Sequence, residues 1–445
     1  MTRPAPTGHD LPARVLQSLT PWRKAPVWHV GFSGGLDSTV LLHVLATLSR
    51  QQPLPPLNAI HIHHGLQAAA DAWPAHCRVV CEALGVPLQV IHVEVAKGAS
   101  LERAAREARY AAFTDALGEG ELLLTGQHRD DQAETVLFRL LRGAGVRGLA
   151  AMASQRALGR GTLVRPLLGV SRAELKRYAH LHDLSWIEDP SNGDEQHARN
   201  FLRNQVMPLL SERWPQAGQS MARTAAHLRE AQELLEALAE EDLRAARPRT
   251  PWAMLGLPVL ALAPLAALSP ARQRNALRHW LAGFTRLPDT DHWAGWESLR
   301  DAGEAARPVW ALADGGLHRA DTHLWWLPDS WPMPAQTPAP WPAPDRALAL
   351  AGNGHVTLTG NIPGGALEVR YRVGGEILSM PGRGRRDLKR LLNERGVPAF
   401  VRGRLPLLHA DGQLVAVAGI PGLDGHSAGN WRLQWVAPTS DQCLS

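Results

Sequence analysis

The first half of the chain alternates two kinds of apolar pattern. Short unbroken apolar runs fall at residues 27–32, 57–62, 88–93 and 122–124. Each is followed by a stretch whose apolar positions recur at helical spacing, over 39–45, 71–84, 101–117 and 131–141. Buried strands alternating with amphipathic helices predict a parallel sheet covered on both faces, with ligands at the carboxyl ends of the strands. Farther on, residues 216–246 read as one long helix rich in Ala, Leu and Glu, and 270–283 as a second. A Pro-rich, charge-poor stretch over 328–344 cannot continue a helix and marks a boundary. Beyond it, short apolar runs alternate with Gly and Pro turns, as strands do. The expected fold is α/β: a Rossmann-like parallel-sheet N-terminal domain (1–215), a helical middle domain (216–327), a Pro-rich linker (328–347) and a small α+β C-terminal domain (348–445).

The first strand meets its helix through Ser33-Gly34-Gly35-Leu36-Asp37-Ser38. A Gly- and Ser-rich turn opening a helix leaves backbone N–H groups aimed outward at the positive end of the helix dipole, which makes a phosphate cradle. The Walker loop needs a Lys where Asp37 stands, and the dinucleotide fingerprint needs a third glycine where Ser38 stands, so neither applies. A carboxylate beside a polyphosphate implies a divalent cation between them, so Asp37 implies Mg²⁺ held jointly by protein and phosphates. The loop resembles the SGGxDS pyrophosphatase loop of adenylating enzymes that split ATP into AMP and pyrophosphate.

Other polar clusters also fall at strand ends. His61-Ile62-His63-His64-Gly65-Leu66 brings three imidazoles together without a carboxylate or thiol at ligand spacing, which favours the wall of a nucleotide pocket over a metal site. Glu102, Arg106 and Arg109 share one helix face, either as a solvated ion-pair face or as arginines presented to a phosphate or carboxylate. Thr125-Gly126-Gln127-His128-Arg129-Asp130-Asp131-Gln132-Ala133-Glu134-Thr135 follows the fourth strand. Asp131 and Glu134, three apart on the first turn of a helix, share a face with His128 just ahead of them, suited to an amine or a second metal ligand as well as to the helix dipole. Gly143-Ala144-Gly145-Val146-Arg147-Gly148 matches GxGxxG, but it follows a helix rather than a strand and fails the dinucleotide context. Arg199 and Arg203, four apart, read either as an Arg pair packed over acids or as part of an RNA-facing rim.

Composition refines this. The net charge of +5 and pI near 9.5 suit an acidic partner. Ten Arg or Lys against three acids over residues 370–404 concentrate that charge where a nucleic-acid backbone would meet it. Three Cys (Cys77, Cys81, Cys443) offer no disulfide framework. No run approaches the ~20 apolar residues of a membrane span and the first thirty residues lack a signal core, so a soluble cytoplasmic protein is expected.

SGGLDS, HIHHGL, LERAAREARY, TGQHRDDQAET, RGAGVRGLAAM, RPLL and EDPSN followed by RNFLRN, in this order, resemble the tRNA(Ile)-lysidine synthetase family. The likeness is dense over roughly residues 27–210 and resumes near Tyr371. It implies that ATP adenylates the C2 carbonyl oxygen of the wobble cytidine of tRNA(Ile) with a CAU anticodon, and that the ε-amine of L-lysine then displaces AMP to give lysidine. It also implies Ser33, Gly34, Gly35, Leu36, Asp37 and Ser38 at ATP, with Asp37 on Mg²⁺ and catalytic roles for Asp37, His128, Asp131 and Glu134. Lysine would meet Asp131, Glu134 and Arg109, and tRNA would meet Arg199, Arg203, Arg372, Arg383, Arg385, Lys389 and Arg390. The chain departs from a common form of the pattern at Gln127, where many members carry a second His; an amide cannot ionise. Two rivals remain: a tRNA thiolase, which needs reactive cysteines near the loop, and an RNA-binding protein with a degenerate nucleotide fold.

Overall fold

The computed structural model describes residues 11–438 apart from 66–67, 96–100, 249, 251, 253–254, 288–289, 304–305, 330, 332–336, 381–383 and 426–429. The chain divides into two compact units, residues 1–234 and 235–445.

The first unit is built on six strands: β1 (Trp28–Gly31), β2 (Leu57–His63), β3 (Leu88–His92), β4 (Leu122–Leu124), β5 (Gln155–Leu158) and β6 (Gly161–Val164). Their order is β3-β2-β1-β4-β6-β5, and every pairing is parallel except β5 with β6. Its helices are α1 (Leu11–Ser18), α2 (Leu36–Gln51), α3 (Trp73–Leu84), α4 (Leu101–Ala116), α5 (Arg129–Leu140), α6 (Val146–Leu149), α7 (Arg172–Leu181), α8 (Ala198–Phe201), α9 (Met207–Arg213) and α10 (Ala217–Ala245). A π-helical stretch, Leu202–Val206, joins α8 to α9. The helix α10 carries the chain across the boundary between units.

Successive residues of β4 face opposite sides of the sheet. Leu122 and Leu124 join Trp28, Val30, Leu41 and Leu45 in one core, whereas Leu123 joins Ile60, Phe113, Leu117 and Leu163 in the other. Burial on both faces explains why these strands are unbroken apolar runs. The chain moves outward from β1 through β2 to β3 and returns to β4 on the opposite side of β1. Strand order reverses between β1 and β4, so a crevice opens at their carboxyl ends, where ligands settle in open α/β sheets.

The β5–β6 hairpin lies outside the expected strands. Only Leu158 is buried on β5, so no apolar run or alternation marks it. Its turn rests on Gly159, whose φ of 55° suits glycine. The helices α2 and α5 begin earlier than their apolar periodicity suggests, because Gly35 and His128 cap them ahead of the first periodic residue.

In the second unit, the helices Pro270–Leu281 and Ala294–Asp301 lie beside a four-stranded antiparallel sheet of Val259–Ala261, His323–Pro328, Gly315–Ala320 and Val309–Leu312. The middle segment therefore carries a sheet in addition to its expected helices. Arg272 on the first helix pairs with buried Asp242 of α10. Within the Pro-rich stretch, Ala339–Pro340 forms an edge strand against Glu368 and Val369, and Trp341 is buried. An edge position tolerates proline because one side of the strand needs no donor. Arg404, part of the basic run, is fully buried; its Nε donates to Asn353 Oδ1 at 3.2 Å and its guanidinium lies 3.9 Å from the Trp331 ring centroid. It therefore adds nothing to a basic surface.

Leu41 is fully buried in α2, whereas Val79 on α3 is 65% exposed. Leu41→Ala should lower the opening free energy of α2 amides in hydrogen exchange by about 2–5 kcal/mol, while Val79→Ala should shift it by no more than ~0.5 kcal/mol. Equal effects would contradict the assigned core.

Candidate active site

Four residues turn the chain from β1 into α2. Gly34 has φ +82°, and a Cβ there would lie 2.8 Å from Ile187 Cδ1 and 3.2 Å from Cys77 Sγ, so backbone strain and crowding both select glycine. Its carbonyl accepts the Ile187 N–H at 2.9 Å and the Thr39 hydroxyl at 3.3 Å. Ser33 Oγ accepts the Gly35 N–H at 3.3 Å and lies 3.1 Å from Ser38 Oγ, which donates to the Gly35 carbonyl at 3.0 Å. No side chain caps α2. Its first N–H groups thus face the crevice together with the dipole, as an anion site requires.

Asp37 sits in the first turn of α2. Its Oδ1 is buried without a hydrogen-bond partner, while Oδ2 lies 3.5 Å from His128 Nε2 and 3.8 Å from Arg172 Nη1. The strand β4 continues into Thr125 and Gly126. A Cβ on Gly126 would stand 3.1 Å from the Asp37 carbonyl carbon and the Ser38 nitrogen. Glycine here lets the segment leading to His128 lie directly against the phosphate loop.

His128 caps α5. Its Nδ1 accepts the Asp131 N–H at 3.4 Å, and Asp131 Oδ2 accepts the His128 N–H at 3.1 Å, a reciprocal capping box. In the neutral ring, Nδ1 accepting leaves the proton on Nε2, and that nitrogen faces Asp37 Oδ2 and Asp131 Oδ2, each at 3.5 Å. Burial pulls the imidazolium down, but Asp37, Asp131 and Asp130 together outweigh it and hold the His128 pKa above its ordinary value.

The Glu134 side chain, 3% exposed, is bound by Arg203: Nε donates to Oε1 at 2.7 Å and Nη2 to Oε2 at 2.9 Å. The same Nη2 donates to Asp131 Oδ1 at 2.8 Å. Burial raises the Glu134 pKa despite Arg203. Arg199 donates to Thr135 Oγ1 at 2.7 Å and lies 3.6 Å from Glu134. The arginine pair is therefore packed over the acids, and the π-helical stretch is what places Arg203 there.

The structure thus brings Ser33, Gly34, Gly35, Leu36, Asp37, Ser38, His128, Asp131, Glu134, Arg199 and Arg203 together at the carboxyl ends of β1 and β4. Arg109 is not part of this network: it is exposed on α4, 5.9 Å from the Tyr110 ring centroid, and forms no ion pair among the described residues. Its nearest titratable neighbours include His64, whose pKa is lowered by burial and then by Arg109. In the histidine cluster, His61 Nδ1 donates to the Phe32 carbonyl at 2.9 Å and His63 lies 3.5 Å from Asp71; Leu66 lies outside the described residues.

In the second unit, Arg372 pairs with Glu376 at 3.3 Å and Arg390 with Glu394 at 3.3 Å. Arg385 and Lys389 are exposed, and Arg383 lies outside the described residues.

Arg172 was not anticipated. Its approach to Asp37, and its N–H donated to Asp130 Oδ2 at 2.8 Å, join residues far apart in sequence. It follows Ser171, whose capping box with Glu174 opens α7.

A PP-loop domain model matches residues 9–210, the TilS substrate binding domain matches 260–325, and the TilS substrate C-terminal domain matches 367–435. The chain is 64% identical over 445 residues to a tRNA(Ile)-lysidine synthase of Pseudomonas syringae pv. tomato, with both chains fully covered. The chain belongs to the tRNA(Ile)-lysidine synthase family. A Pseudomonas aeruginosa relative of that name is 61% identical over 438 residues, covering 98% of this chain and 99% of its own. One from Escherichia coli O157:H7 is 42% identical over 401 residues, covering 88% and 91%. Synthase chemistry of this family also fits the cysteines: burial pushes the Cys77 thiol up to about 12 and Cys81 to about 11, so neither is the ready nucleophile that a thiolase needs.

A raised His128 pKa in the folded state gives stability that is fully present below the unfolded pKa of about 6.5 and lost as pH rises through the folded value. Asn preserves an N-cap without the charge. In thermal melts, the advantage of the wild type over His128→Asn should be largest near pH ~6 and shrink by pH ~9. A pH-independent difference would contradict the assignment.

Proposed function

We propose that the chain ligates L-lysine to C2 of the wobble cytidine of tRNA(Ile) with a CAU anticodon, consuming ATP and releasing AMP and pyrophosphate. The observation that carries this reading is the meeting of an uncapped phosphate loop with a carboxylate–arginine network at the carboxyl ends of β1 and β4, in a chain 61–64% identical to tRNA(Ile)-lysidine synthases over nearly its full length. ATP, tRNA and lysine meet in the cytoplasm, and among the described residues no helix is long and apolar enough to cross a membrane.

In the first step the backbone N–H groups of the Ser33–Ser38 loop and the start of α2 hold the polyphosphate, aided by the Ser33 and Ser38 hydroxyls. The cytidine C2 oxygen attacks the α-phosphorus and pyrophosphate leaves. Asp37 suits Mg²⁺, because its buried Oδ1 lacks a partner. Among the described residues no three His, Cys, Asp or Glu side chains are arranged to hold a metal ion by themselves, so phosphate oxygens and water would complete the shell. When bound, the ion supplies charge neutralisation at the phosphates. Arg172, beside Asp37, adds a fixed positive charge on the same side.

In the second step the lysine ε-amine attacks C2 and AMP leaves. At pH ~7 the ammonium, with a pKa of about 10.4, must give up a proton at a cost of ~4.6 kcal/mol. Asp131 takes the ammonium directly, since its side chain is 16% exposed against 3% for Glu134. Glu134 acts through Arg203, which it fixes against Asp131. His128 Nε2–H keeps Asp131 ionised until Oδ2 receives the proton. Arg109, exposed on α4, takes the lysine carboxylate. The exposed Arg385, Lys389 and Arg390, with Arg372 and Arg383, hold tRNA through its backbone.

Asp37→Asn should lower tRNA-dependent pyrophosphate release by about 10²-fold or more, read as [γ-³²P]ATP turnover. Near-normal turnover would remove Asp37 from the phosphate site.

A further inference from the structure

A second basic site lies on the first unit, apart from the ATP loop. The helix α4 presents Arg106 and Tyr110 one turn apart, and the β5–β6 hairpin brings Arg156 to the same ring: Arg106 Cζ lies 4.9 Å and Arg156 Cζ 4.8 Å from the Tyr110 centroid. Arg165, the first residue beyond β6, is 6% exposed. One of its Nη groups donates to the Ala153 carbonyl at 2.7 Å, but its buried Nε has no partner.

The guanidiniums of Arg106, Arg109 and Arg156 thus lie around the Tyr110 ring, and the charge of Arg165 also acts on its phenol. No ion pair to a carboxylate is made by any of them among the described residues, in contrast to Arg103, which meets Glu107 on the same helix. Burial raises the Tyr110 pKa, and the surrounding arginines outweigh it and lower the net value. Like charges gathered with no carboxylate partner among the described residues repel one another, so the arrangement is suited to an anion that arrives from outside. Planar guanidiniums stacked on a ring keep their N–H edges directed outward, the geometry that suits phosphate.

Position selects the anion. Val164 pairs with Leu124, so Arg165 continues β6 beside the Thr125–His128 segment that leads into the catalytic network. The strand order β1-β4-β6 sets Arg165 two strand spacings, about 10 Å, from the line of the ATP loop. An anion here is close to the reacting base yet outside the polyphosphate cradle. We propose that Arg106, Arg156 and Arg165 bind backbone phosphodiesters of the tRNA next to the reacting nucleotide, with Tyr110 holding Arg106 and Arg156 in register. This site rests on the tRNA-modifying reading above.

The test uses the full-length protein and unmodified tRNA(Ile) transcript over a series of salt concentrations. Arg156 is exposed, so Arg156→Ala should fold. It should weaken tRNA binding several-fold and flatten the plot of log K against log[salt] by roughly 0.7–0.9 per lost phosphate contact. The KM for ATP and for lysine should stay at wild-type values. Arg103→Ala, on the same helix but paired with Glu107, should leave the salt slope unchanged. An unchanged slope and affinity in both Arg156→Ala and Arg106→Ala would overturn the proposal, and so would a rise in the ATP KM alone, which would assign the cluster to ATP phosphates. Failure of the wild type to form lysidine would overturn the functional reading itself. An active wild type, with arginine variants that keep its affinity and salt slope, would overturn only this site.

Discussion

The site depends on one buried ion triad, Arg203 held between Glu134 and Asp131. Charges removed from water are tolerated only when each is matched, and deleting one partner of such a group typically costs about 3–5 kcal/mol. Arg203 meets both carboxylates of Glu134 and Asp131 on α5, so the π-helical stretch between α8 and α9 is fixed against the helix that carries the acids. The His128 capping box fixes the start of that helix, and Gly126 lets it lie against the ATP loop. Loop, cap and triad together set Asp37, His128 and Asp131 within one polar cluster.

That cluster separates two chemical tasks by charge. On the loop side, backbone dipoles and hydroxyls meet a polyanion while Asp37 leaves one oxygen unpartnered. On the α5 side, Arg203 and Arg199 keep the mutual repulsion of the carboxylates in check, which suits that side to the ammonium of the proposed reaction. His128 stands between the two, its protonation favoured by the acids on both sides. A single crevice at the strand-order reversal can therefore hold ATP and an amine in sequence.

Much of this was legible in the residues. The apolar runs and helical periods give the parallel sheet because burial on both faces leaves strands unbroken, and SGGLDS and TGQHRDDQAET fall where the crevice opens. The pairing of Arg203 with Asp131 and Glu134 was one of two readings of the Arg199/Arg203 spacing, and only long-range folding could choose it. The β5–β6 hairpin escaped because a mostly exposed strand with one buried residue has no apolar signature. Arg172 escaped because its contact with Asp37 crosses more than a hundred residues. Arg404 looked like surface charge in a basic run, and its burial against Trp331 depends on neighbours remote in sequence.

The central claim, that α5 serves lysine capture while the loop serves adenylation, is tested most directly by quenched-flow analysis of Asp131→Asn with [α-³²P]ATP and unmodified tRNA(Ile). The account predicts adenylated tRNA formed at close to the wild-type rate and then accumulating, because lysine no longer discharges it. Adenylation and lysine transfer slowed to the same degree would contradict the division of labour.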